Sequence, residues 1–399
     1  MKVERVYIGG WFQRTTLHLT EMADFLMVGQ SELGLDEEKL KTLREQLQIA
    51  QVSRDNWLLE YIAATTKLGI NLRIYEDGLI VLEVAPEGNL KTTFDLLESY
   101  YDNQLSPAIS FLFSKGAPVP KELAQIKTLL PFVVWTKKAT QAEIKGFFEG
   151  QGLAAYSAME TPYVKVYKAP KVILIVSDLA EAKVRQLVEG QIFFREFKSQ
   201  LHRYLALHRL IWEEIAAIKE RGKIAGREVK ELRAKLDGYQ KTVQLIDSRI
   251  NQMGSYLATR GKISTAEEVD KYLDKIFQYK FETLTDTLSY IKELWRMTAN
   301  YLSSAIEMFK DIQAESTKTS ITSLQLITTL GVVAGIIGYL GRDKLPTLTI
   351  EGGIFFVLLG FLTWGLNALV SRYFAAKSYI IKKDEHEKMF KIKDAKEEA

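Results

Sequence analysis

The chain has 399 residues, with 53 Lys and Arg against 50 Asp and Glu and a net charge of +3. That balance leaves no polybasic footprint for nucleic acid, and the absence of cysteine excludes disulfides, thiolate metal sites and cysteine nucleophiles. Met1–Leu19 places Glu4, Arg5, Arg14 and His18 where a signal peptide needs an apolar core, so the N-terminal part is expected to stay cytosolic.

Along the chain, Val3–Ile8, Ile70–Tyr75, Leu79–Val84, Phe132–Trp135, Val164–Tyr167 and Val172–Val176 are rich in β-branched and aromatic residues and read as strands. Asp77-Gly78 between two of them reads as a hairpin turn. Leu40–Val52, Asn56–Lys67, Leu90–Asp102 and Gln141–Phe148 read as helices. Residues 1–178 are therefore expected to form an α/β domain. No proline occurs from Lys171 to Leu345, where long helices can form. The spacing predicts a helical pair over 179–262, broken near Gly222–Gly226 and ended by Gly261. Ser264 with Glu267 and Thr265 with Glu268 have capping-box spacing. They are expected to start a third helix that runs as a stalk over 263–320.

Two apolar runs follow, Ile321–Gly341 and Ile350–Val370. Each run of about 21 residues would be roughly 31 Å long as a helix, close to the hydrocarbon thickness of a bilayer. They predict two transmembrane helices, 321–341 and 350–370, joined by an external loop 342–349 and followed by a charged cytosolic tail 371–399. Lys310 and Lys318 before the hairpin, and Arg372, Lys377, Lys382 and Lys383 after it, place both termini on the cytosolic side. The expected location is the inner (cytoplasmic) membrane, multi-pass, with membrane lipid as a partner. Ala314, Thr317, Ile321, Leu324, Thr328, Gly331, Gly335 and Gly338 follow a 3,4 spacing along the first run. Such a face of small and hydroxyl residues serves either as a packing seam or as a pore wall.

This order of elements resembles the CorA family of divalent-cation channels over the whole chain, giving an expected fold of α+β membrane protein with an N-terminal cytosolic α/β domain, a long helical stalk and two C-terminal transmembrane helices. Ala334-Gly335-Ile336-Ile337-Gly338-Tyr339-Leu340 sits where that family ends its pore helix in Gly-Met-Asn, and Pro346 matches a loop proline found shortly after. The resemblance implies a homopentamer, a pore lined by the first span, and metal cations as ligands. Gly338, Tyr339 and Leu340 depart from the motif: tyrosine replaces methionine, and leucine replaces the asparagine that would offer its amide oxygen to hydrated Mg²⁺. Selectivity would then rest on backbone carbonyls, threonine rings, or the outer-mouth charges Asp343 and Glu351.

Asp270, Asp274, Glu282 and Asp286 are candidate ligands for a bound divalent cation such as Mg, Zn, Co or Ni, in competition with a plain solvated helix face. The expected function is cation passage with altered selectivity, gated by the cytosolic domain. The alternatives are a ligand-gated pore of other selectivity and a non-conducting, membrane-anchored scaffold or sensor. No phosphate-binding glycine loop or nucleophile elbow is present, so an enzyme is not expected, and Gly9-Gly10 is too short to signal a nucleotide site.

Overall fold

A computed structural model describes residues 1–11, 19–56, 58–112, 130–278 and 280–340, with 350, 354, 357, 361, 364–365, 368–369, 372–373 and 378–380 beyond them. These residues fall into two compact units. The first is Met1–Ala206 with Leu245–Glu293, and the second is Leu207–Gln244 with the described part of Leu294–Ala399.

The first unit is built on a nine-stranded sheet in the order β2-β3-β4-β5-β1-β6-β9-β8-β7. In chain order the strands are β1 (Val3–Trp11), β2 (Ile49–Asn56), β3 (Glu60–Thr66), β4 (Asn71–Tyr75), β5 (Leu79–Val84), β6 (Phe132–Thr136), β7 (Ser157–Glu160), β8 (Val164–Lys168) and β9 (Val172–Ser177). β6 and β9 run parallel, whereas every other pairing is antiparallel. Among the described residues five α-helices join them: α1 (Leu19–Val28), α2 (Glu37–Gln46), α3 (Leu90–Tyr100), α4 (Ser106–Leu112) and α5 (Gln141–Gly150).

The period of two along a strand sorts the side chains between two cores. Val6 and Ile8 of β1, Leu72 and Ile74 of β4, Ile80 and Leu82 of β5, and Leu174 of β9 join one cluster with Phe25, Leu43, Leu97, Leu112 and Phe147 of α1–α5. The alternate residues Tyr7, Val81, Val133, Trp135, Ile173 and Ile175 are also buried, but on the other face. Burial on both sides is why β9 and, apart from Glu83, β5 read as nearly continuous apolar runs.

That second face receives α6 (Glu181–Lys219), whose Phe193 and Phe197 pack on Trp11 at ring distances of 5.7 and 5.4 Å. Gly9 permits the close approach. A Cβ there would stand 2.6 Å from the Ile80 carbonyl oxygen and 3.0 Å from Ile192 Cδ1 of α6. The short strand β10 (Lys223–Ala225) then leads into α7 (Gly226–Ala266), α8 (Asp270–Phe277) and the 60-residue α9 (Phe281–Leu340). In the second unit β10 pairs with β11 (Ser378–Ile380). Trp212 stacks on Tyr301 at 4.5 Å there, and the Lys219 ammonium sits 4.4 Å over the same tyrosine.

Several expectations are corrected. The two-span membrane architecture is overturned: among the described residues no helix is long and apolar enough to cross a membrane. The polar part of α9 continues to Lys318, and Thr322, Ser323, Gln325, Thr328 and Thr329 then interrupt the apolar sequence before the helix ends at Leu340. The membrane and channel descriptors and the multi-pass inner-membrane location are withdrawn with it. The loop 342–349, most of 350–370, and the tail apart from 372–373 and 378–380 lie outside the described residues.

Asn56–Lys67 is not a helix but largely β3, whose alanines mimic helical composition while pairing with β2 and β4 decides the conformation. Helix α2 stops at Gln46, and Gln48 at φ 51° turns the chain into β2. Helix α7 runs straight through Gly261, which packs against the Phe281 ring. Ser264 does not cap a new helix; its hydroxyl donates back to the Arg260 carbonyl inside α7. The stalk is interrupted where Gln278 takes the left-handed conformation at φ 58° and closes α8 without a glycine.

Gly9→Ala is expected to lower stability by about 1–3 kcal/mol, the range for overpacking a tight interior. Urea denaturation of the full chain measures it, and unchanged stability would show that the contact between α6 and the sheet yields easily.

Candidate functional site, a buried charged cluster

The β4–β5 turn carries the most distinctive chemistry. Gly78 N–H donates to the Tyr75 carbonyl at 2.9 Å, which closes the turn around Asp77. The Asp77 carbonyl accepts from Trp11 Nε1 at 2.8 Å, and its Oδ1 accepts from the Leu79 N–H at 3.1 Å. These bonds aim a fully buried carboxylate, 0 % exposed, at α7. Arg260 meets it with two N–H groups, Nε to Oδ2 at 2.6 Å and Nη2 to Oδ1 at 2.9 Å.

The same guanidinium lies 4.4 Å from the Tyr75 ring centre and 5.5 Å from that of Phe193. A fork-on-fork pair with aromatic faces beside it uses the planar geometry that lysine lacks. Burial alone would pull the Arg260 guanidinium down, but Asp77 foremost, with smaller contributions from Tyr75 and Glu189, holds it above its ordinary value.

Next to this pair, Arg73 of β4 donates to Glu83 of β5 from Nη2 at 2.9 Å and Nη1 at 3.3 Å. Arg185 of α6 approaches the same carboxylate at 3.4 Å and donates to Glu181 at 3.4 Å. Burial pushes the Glu83 carboxyl up, yet Arg73, then Arg185 and Arg5, outweigh it and hold the group below the usual range. Glu189 of α6 completes the cluster, 3.5 Å from Arg73 Nη1. The Tyr7 hydroxyl is buried against the same face without a hydrogen-bond partner, and burial, reinforced by Glu83, raises its ionisation well above normal. The chemistry available to this arrangement is the holding of charge and the binding of protons.

The residues expected as sites are placed elsewhere. Ala314, Thr317, Ile321, Leu324, Thr328, Gly331, Gly335, Gly338, Tyr339 and Leu340 all fall on α9. Ala314, Ile321, Thr328, Gly331 and Gly335 are exposed, while the surroundings of Gly338 and the side chains of Thr317, Leu324, Tyr339 and Leu340 lie outside what is described, as do Asp343 and Glu351 entirely. Ala314 and Ile321 line an open groove of about 670 Å³ whose charged walls are Arg233, Lys310 and Lys318.

Asp270 and Asp274 sit on α8, and Glu282 and Asp286 on the first turns of α9. Asp270 accepts a hydrogen bond from the Lys271 N–H. Among the described residues no group of three His, Cys, Asp or Glu side chains is placed to hold a metal ion. Sequence reasoning located the Asp77-Gly78 turn but missed the cluster. Its members are spread from Arg5 to Arg260, and the usable signal was charge inside apolar strands: Arg73 and Glu83.

Set against models of known protein families and against curated proteins, the chain matches none.

Arg260→Leu is expected to destabilise the protein by about 3–5 kcal/mol, because it strands a buried carboxylate. Asp77→Asn combined with Arg260→Leu should recover part of that loss in a double-mutant cycle read by urea denaturation. Additive losses would show that the pair is not coupled.

Proposed function

We propose that this chain is a homo-oligomeric, non-conducting sensor scaffold in which the buried charged cluster is an ionic latch between the sheet and helices α6 and α7. The cluster carries this reading. Apolar side chains of similar volume at such a contact are commonly as stabilising as ion pairs or more so. A charged contact, in exchange, is one that a small change in charge can open. The CorA-like resemblance contributes the rest of the proposal: self-assembly, with five as the subunit number, and a divalent cation (Mg, Zn, Co or Ni) as the signal.

Met297, Ile321 and Val332 are exposed apolar side chains along α9 in the second unit and offer self-association a surface. The non-conducting form is favoured by the groove beside Ala314 and Ile321. Among the described residues that groove is lined by Arg233, Lys310 and Lys318 and by no carboxylate. Positive walls repel metal cations rather than gather them.

Native mass spectrometry of the full chain is expected to show an oligomer, and hydrogen exchange in α6 and α7 is expected to change several-fold when one of the four cations is added. A monomer, or exchange that none of the cations moves, overturns the sensor scaffold. Cation flux through vesicles reconstituted with the full chain overturns its non-conducting form.

A further inference from the structure

Glu189 is the one carboxyl of the cluster to which no guanidinium is aligned. It lies on α6 at 1 % exposure, and neither carboxylate oxygen takes part in a well-formed hydrogen bond. Charged and titratable groups face it from every side: Arg73 and Tyr75 from β4, Tyr61 from β3, Arg260 from α7, and Arg185 from its own helix. Glu83 and Asp77 stand behind those arginines.

The guanidiniums are committed elsewhere. Arg260 spends its fork on Asp77, Arg73 its fork on Glu83, and Arg185 is divided between Glu83 and Glu181. What reaches Glu189 is Arg73 Nη1, 3.5 Å from Oε1 and outside hydrogen-bond alignment. The Tyr75 hydroxyl is its remaining polar neighbour. An ionised carboxylate in that setting would be desolvated without the two or three donors that normally compensate. A neutral carboxylic acid needs far less.

We propose that Glu189 is a proton-binding site: its carboxyl takes up one proton from solvent when α6 docks on the sheet and releases it when that contact opens. The bond formed is a single O–H on the carboxyl, with the proton drawn from water or buffer, and nothing is oxidised or reduced. Burial, the strongest influence on this group, pushes the carboxyl up against the opposing pull of Arg73 and then Arg260. Because the folded value lies above the unfolded one, the native domain holds more protons between the two. Stability therefore falls as pH rises from about 4.3, the unfolded glutamate value, through the folded value, and the full loss persists above it.

This inference shares the cluster with the sensor reading and adds the proton as a second signal at the same latch. Infrared difference spectroscopy of the folded full chain tests it through the carbonyl stretch of a protonated carboxylic acid. The band is expected in wild type, lost in Glu189→Gln and kept in Glu196→Gln, since Glu196 is the other buried carboxyl of α6 and already accepts from Arg195 at 2.8 Å. Glu189→Gln is also expected to melt higher than wild type above the folded value, and to lose the decline with pH below it. No band in wild type, or a band lost only in Glu196→Gln, overturns the proposal, as does Glu189→Gln melting lower by the same amount at every pH.

If Glu189→Gln does not fold, Tyr75→Phe serves in its place. A shifted band then supports the proton site, and an unshifted one overturns it. A missing band with cation-responsive exchange intact removes only the proton site. A monomeric or cation-blind protein that keeps the band removes only the sensor reading.

Discussion

The pairing of Asp77 with Arg260 places two opposite charges where water does not reach, and the second face of the sheet is organised around it. Removing either partner leaves a charge in a low-dielectric interior, so each residue requires the other. The turn supplies the carboxylate in a fixed direction through Trp11 and Leu79, and α7 supplies the guanidinium between Tyr75 and Phe193. Helix α6 then closes over the pair with Phe193 and Phe197, and it comes close enough only because β1 carries Gly9 at the contact. A local turn, an aromatic wall and a glycine thus serve one ionic contact.

The two faces of the sheet solve burial differently. Against α1–α5 the contact is closed by aliphatic and aromatic side chains such as Phe25, Leu97 and Phe147, which makes that side a packed core with little dependence on charge. Against α6 and α7 the contact mixes aromatic packing with Arg73, Glu83, Arg185, Glu189 and Arg260. The strength of such a contact depends on the ionisation of its members, whereas that of an apolar one does not.

Local pattern was enough for much of the sheet. Val3–Ile8, Leu79–Val84, Val164–Tyr167 and Val172–Val176 were readable from β-branched runs, and Asp77-Gly78 from turn chemistry. Leu90–Asp102 and Gln141–Phe148 were readable from helical spacing, and the structure forms them as Leu90–Tyr100 and Gln141–Gly150 behind Asn89 and Thr140 caps. The failures have a common cause. Glu60–Thr66 contains residues that tolerate either state, and only its two strand neighbours hold it extended. Gly261 is a helix breaker by propensity but lies inside α7, packed on the Phe281 ring, and Gln278 ends α8 with a left-handed backbone that no residue type announces. The apolar run at Ile321–Gly341 is visible in any hydropathy count, yet among the described residues no helix meets the length and apolarity of a span.

The sequence by itself determined the α/β character of the first part, the long helices after residue 179 and the hairpin turn, because each depends on interactions within a few residues of one another. Tertiary structure alone decided the cluster. Asp77 and Arg260 are 183 positions apart, and nothing local to either marks it as one half of a pair. Their union depends on which face of β4 and β5 the strand period exposes and on where α7 lies across it. The isolation of the Glu189 carboxyl follows from the same geometry, since neighbouring carboxylates take up the arginines it would otherwise use.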